Sequence, residues 1–197
     1  VAFNVVDDAQ DVIDEMTAHS EIASAQSITV SGVANAAQGV TIDAFSKDVV
    51  FNVVDDANDI AGELSGLNDQ LDEAVSVTVT GGTVDASDAA AIQGISGYVD
   101  GTASSYDIVD SASAIVGATD AILNTGGVAT VTVSGVANAA QGGDIDAFSK
   151  DVAFNVVDDA QDVIDEMTAH SEIASAQSIT VSGVANAAQG VTIDAFS

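Results

Sequence analysis

The segment FNVVDDAQDVIDEMTAHSEIASAQSITVSG, residues 3–32, changes its hydrophobic period twice. Phe3–Val6 reads as a short strand. Ala9, Val12, Ile13 and Met16 then fall at i, i+3, i+4 and i+7, the one-sided apolar stripe of a helix. Ile28 and Val30 alternate with Thr29, so the stretch from Ser27 reads as a strand with one wet face. Asp7, three residues before Gln10, has the spacing of a capping box, and Asp8 adds negative charge where the helix dipole favours it. His19 sits near the far end of the same helix, where positive charge is welcome. Two strands joined through a helix lie parallel in one sheet, with a right-handed crossover as the expected connection.

The pattern then repeats. The marker FNVVDDA at 3–9 returns at 51–57, as YDIVDSA at 106–112, and again as FNVVDDA at 154–160, about 50 residues apart. Second strands follow each marker: SITVSG from Ser27, SVTVTG from Ser76, TVTVSG from Thr130 and SITVSG from Ser178. In these, Val77, Val79, Val131 and Val133 point one way, and Thr78, Thr80, Thr130 and Thr132 the other. The opening strands alternate less cleanly, because Val6 and Val54 fall on the side of Asn4 and Asn52. Residues 1–46 are identical to 152–197, so the coils run 1–48, 49–103, 104–151 and 152–197, the last incomplete.

After each second strand comes a corner, SGVANAAQG at 31–39, 134–142 and 182–190. Its Ser-Gly closes the strand, Val33 is placed to staple the corner, and Asn35 is placed to cap a short helix over AAQGVTIDAFSK. Ala36, Val40 and Ala44 make one face of that helix, with Ile42 and Phe45 beside them, and Gly39 interrupts it. The middle coil carries DASDAAAIQG at 85–94 instead and gains GYVDGTASS at 97–105, a surface loop by composition. The expected fold is therefore α/β, a repeat solenoid of strand-helix-strand-short helix coils with a parallel sheet, in which each coil buries its apolar face on the next.

Composition narrows the function classes. With 47% hydrophobic residues the chain has enough apolar content for a core, and a mean hydropathy of +0.34 opposes disorder. A net charge of −29, from 31 acidic residues against two lysines and no arginine, removes the electrostatic basis for binding nucleic acid or anionic membranes. Such a surface suits salty water, where self-repulsion reaches about 8 Å or less. No cysteine is present for disulfides or thiolate metal sites, and no run approaches the roughly 18 apolar residues of a membrane helix.

The run GVANAAQGVTIDAFSKDVVFNVVDDANDIAGEL at 32–64 resembles repeats in very large surface proteins of aquatic bacteria, cyanobacteria among them. The resemblance extends over nearly the whole chain, although the second coil lacks the AAQ and DAFSK elements. It implies a structural repeat in a long extracellular region serving adhesion, a surface layer or fibres. No catalytic residue carries over, since the motif positions are packing and turn positions.

Three clusters remain as site candidates. Asp7, Asp8, Asp55, Asp56, Asp110, Asp158 and Asp159 occupy corresponding places, so stacking would gather carboxylates of neighbouring coils into a possible calcium site; helix capping explains the same residues without metal. Thr78, Thr80, Thr130 and Thr132 form Thr-x-Thr rows that resemble ice-ordering surfaces, and threonine is equally an ordinary residue of an exposed strand. Tyr98 is the freer of two tyrosines for binding a glycan, while Tyr106 replaces Phe3 and Phe51 at a core position. His19 and His170 are one repeat position seen twice, without a HExxH pattern or a GxSxG elbow that would build a metal or nucleophile site around them. The expected role is structural and non-enzymatic, in an extracellular filament, surface layer or adhesin stalk. The competing role is an adhesin's binding module. Neither end of the sequence departs from the interior pattern, so the expected partner is the chain itself, stacked head to tail or continued covalently.

Overall fold

The structure is a computed structural model that describes residues 2–64, 71–169, 173 and 175–196. It is α/β with parallel strand pairs. The chain divides into two compact units, Val1–Tyr106 with Thr125–Ala129, and Asp107–Asn124 with Thr130–Ser197.

In the first unit the order is β1 (Asn4–Asp7), α1 (Ala9–Ala18), a 3-10 turn at Ser20–Ser24, β2 (Ser27–Val30), α2 (Ala36–Asp43), β3 (Val49–Val50), β4 (Asn52–Asp55), α3 (Ala57–Leu64), β5 (Ser76–Val84) and α4 (Ala86–Gly94). β1 pairs parallel with β2 through Asn4–Ser27 to Asp7–Val30, β2 pairs with β3, and β4 pairs with β5 through Asn52–Ser76 to Asp55–Val79. A single parallel bridge from Ala34 to Val53 carries the pairing past buried Phe51. The helices follow suit: α1 packs on α2, α2 on α3 and α3 on α4. β6 (Ser105–Asp110) and β7 (Val128–Val133) straddle the boundary between the units.

The second unit continues with α5 (Ala112–Gly117), α6 (Asp120–Leu123), α7 (Ala139–Asp146), β8 (Val152–Ala153), β9 (Asn155–Asp159), α8 (Ala160–Ala169), β10 (Ser178–Ser182) and α9 (Ala187–Asp194). β7 pairs with β8 and β9 with β10, and an Ala137–Val156 bridge repeats the one in the first unit. Here α5 packs on α7, α7 on α8 and α8 on α9.

The expected alternation of the second strands holds, with Ile28, Val30, Val77, Val79, Val131 and Val133 all buried. The helix stripe holds in part: Ala9 and Val12 are buried, while Ile13 and Met16 are half-buried. Asn35, Asn138 and Asn186 each cap a short helix and complete a capping box with Gln38, Gln141 and Gln189. Gly32 and Gly135 turn the corner at φ +88°, a conformation that disfavours any residue with a Cβ.

Three expectations need correction. The first-turn cap is Asp8, not Asp7, because the helix begins at Ala9 and the carboxylate of the residue just before it accepts the Asp11 N–H, whereas Asp7 is the last residue of β1. Val33 staples nothing and is 57% exposed. Gly39 does not interrupt the short helix's buried face but belongs to it, with Ala36 and Ile42, whereas Ala44 is exposed. A Cβ there would lie 2.8 Å from Val53 and 2.7 Å from Leu71, so the absence of a side chain lets the following coil approach. Residues 97–105 form the expected loop up to Ser105, where β6 begins, and two contacts tie it down: Tyr98 bridges Val77 in parallel, and buried Ser104 accepts the Val79 N–H. No described helix is long and apolar enough to cross a membrane.

Candidate functional site

The aspartate corner, where each opening strand enters its helix, gathers the most chemistry. One carboxylate oxygen from each of Asp7, Asp8 and Asp11 lies within 4.8 Å of the other two, as does one from each of Asp55, Asp56 and Asp59 and one from each of Asp158, Asp159 and Asp162. Each triplet comes from a single coil, since a strand end followed by a first helical turn folds positions i, i+1 and i+4 together. Among the described residues, no such triplet joins carboxylates of neighbouring coils. Asp110 falls in no such triplet among the described residues, because Ser111 and Ala114 replace its partners. Asp11, Asp59 and Asp162 are the members that strand-by-strand reading missed; the recurring spacing Asp-Asp-x-x-Asp was the available signal.

The corner aspartates divide their work. Asp8 accepts from Asp11 N–H at 2.9 Å. Asp56 accepts from Asn58 and Asp59 N–H, and Asp159 from Gln161 and Asp162 N–H, all at 2.8–3.0 Å. The first aspartate of a pair faces backwards. Asp55 Oδ2 accepts Ala36 N–H and Asp158 Oδ2 accepts Ala139 N–H, both at 2.9 Å, which satisfies the first turn of the short helix in the coil before. Asp7 and Asp110 accept the N–H of the next residue.

With so little positive charge nearby, the carboxylates raise one another's proton affinity. Asp8, Asp56 and Asp159 are the main causes that hold Asp11, Asp59 and Asp162, respectively, above the ordinary carboxylate value. Three hard oxygen ligands at that spacing suit a calcium ion chemically, although oxygens of two aspartates in each triplet already serve as acceptors for backbone amides.

The wet strand face is not a threonine plane. The parallel register sets Thr29 beside Val6, Thr78 beside Val54 and Thr180 beside Val157. Thr80 is exposed, Thr132 is half-buried, and Thr130 gives its hydroxyl to Asp107 at 2.6 Å. A ladder that sequence reading missed lies beside them: Ser27, Ser76 and Ser178 donate to the side-chain oxygens of Asn4, Asn52 and Asn155 at 3.0, 2.7 and 2.7 Å.

Tyr98, expected to be free, is only half-exposed and its hydroxyl is shut off from solvent, which pushes the phenol well above its ordinary value. The hydroxyl so placed is closed to a glycan. Tyr106 is buried as expected and accepts from Gln93 Nε2 at 2.7 Å. His19 follows the last turn of α1, 3.9 Å from Glu15, with both side chains exposed. His170 lies outside the described residues. Comparison with protein families, curated proteins and solved structures finds no match.

Proposed function

We propose that the chain is a structural, non-enzymatic stretch of an extracellular repeat protein, an α/β solenoid whose work is to extend, assemble and present a surface. The observation that carries this reading is the recurrence of one inter-coil joint in both units. In each, a phenylalanine and a valine from the following coil cover a helix glycine, an aspartate satisfies the preceding short helix, and an alanine bridges a valine. A joint made twice with the same side chains is what a solenoid needs. The dense negative charge supports a place in salt-rich surroundings outside the cell, where screening shortens repulsion.

Localisation tests it. An antibody raised against the chain is expected to label extended material on intact source cells in electron micrographs. Labelling that appears only after the cells are permeabilised would overturn the reading.

A further inference from the structure

Segments of identical sequence have different surroundings in the two units. In β2 and α2, Ile28, Val30, Ala36, Gly39 and Ile42 are buried; the same residues in β10 and α9, Ile179, Val181, Ala187, Gly190 and Ile193, are not. Ile179 is 37% exposed where Ile28 is 0%. Val163, Met167, Ile179, Val181, Ile193 and Phe196 line an open apolar hollow of about 180 Å³. The interior joints show what covers this face. Gly39 is covered by Val53, Leu71 and Phe51, and Gly142 by Val156, Ile173 and Phe154, whereas nothing stands within 4 Å of a Cβ at Gly190.

The complementary element is present in the same chain. Phe3-Asn4-Val5-Val6-Asp7 has the sequence of Phe51–Asp55 and Phe154–Asp158. Phe3 is 39% exposed, against 0% for Phe51 and 1% for Phe154. We propose that in the 197-residue chain, where this face is left uncovered, β10 and α9 dock residues 3–7 of a second copy, in the register that Phe51–Asp55 takes on β2 and α2.

That register is specific. Ala185 N–H donates to the second copy's Asn4 carbonyl and Val6 N–H returns to the Ala185 carbonyl, as Ala34 does with Asn52 and Val54, and Ala137 with Asn155 and Val157. Asp7 then accepts Ala187 N–H, as Asp55 and Asp158 accept Ala36 and Ala139. Phe3 and Val5 close over Gly190. The interface is heterologous, so it propagates into an open filament instead of stopping at a dimer.

The inference rests on the structural-array reading and deepens it by naming the contact. Sedimentation velocity of the 197-residue chain over a concentration series tests it, in about 1 M salt to reduce the Debye length to about 3 Å. The unsubstituted chain is expected to form species that grow with concentration. Gly190→Leu, whose side chain enters open space in the single chain, is expected to weaken association at least about tenfold by filling the seat. Phe3→Ser is expected to weaken it by removing the covering side chain. An equimolar mixture of the two variants keeps one competent seat and one competent segment, and is expected to give 1:1 dimers and nothing larger. A chain that stays monomeric throughout, association unchanged in Gly190→Leu, or a mixture that forms no dimer would each overturn the docking register. Surface labelling of cells is unaffected by any of these outcomes, so failure of the register and failure of the array reading are told apart.

Discussion

Asp56 and Asp59 sit three residues apart in one acidic corner, yet they act in opposite directions. Asp56 terminates two orphan amides of α3, and Asp56→Ala is expected to cost about 0.5–2 kcal/mol in chemical unfolding. Asp59 supplies mainly repulsion, so Asp59→Asn is expected to raise the Tm; equal losses from both changes would contradict this division. The pH dependence follows with a definite sign. Asp11, Asp59 and Asp162 have folded-state values raised above 3.8, so the folded chain takes up their protons before the unfolded chain does. Their unfavourable contribution is present at neutral pH and relieved as pH falls through the raised values. The Tm is therefore expected to climb on acidification from neutral toward the carboxylate range and to stop climbing near 3.8, where the unfolded chain protonates too; a Tm that falls steadily through that window would contradict it. At this scale the sequence was legible wherever chemistry is local. Asn35 reads as a cap because capping is decided within four residues. Gly39 did not read as a core position, because its worth depends on Val53 and Leu71 arriving from the next coil, and a helix glycine by itself looks only like weakness.

At the scale of the element, the strands were legible through their alternation and the helices through their period, since both follow from which face meets water. The Asn–Ser ladder was not, because it depends on register between segments 23 or 24 residues apart. The half-buried bond between Ser76 and Asn52 makes a direct test of that register. A double-mutant cycle with Asn52→Ala and Ser76→Ala is expected to give a coupling of about 0.5–1.5 kcal/mol, and additive losses would place the two side chains apart. The corner was misread in a similar way. Val33 resembles a staple by position, but the positive φ of Gly32 turns the chain before it, and Val33 faces solvent with its counterparts Val136 and Val184.

For the whole molecule, the periodic markers fall on the opening strands of the coils, β1, β4, β6 and β9, while contacts such as those of Gly39 with Val53 and Leu71 depend on residues well separated in sequence. The acidic triplets recur with those coils, and their carboxylates cap helices and satisfy preceding turns. Calcium is therefore expected to raise the Tm no more than magnesium at equal ionic strength; a rise specific to calcium and reversed by a chelator would assign the triplets to the ion. The central claim is that identical sequence acquires its place in the core from the coil stacked on it. Its most direct measurement compares Gly39→Leu with Gly190→Leu, two changes in the same octapeptide AAQGVTID, by urea unfolding at a concentration where the chain is monomeric. Gly39→Leu is expected to destabilise by about 1–3 kcal/mol through overpacking against Val53 and Leu71. Gly190→Leu is expected to be neutral or to stabilise by up to about 1 kcal/mol through helix propensity alone. Losses of the same size at both positions would contradict the claim.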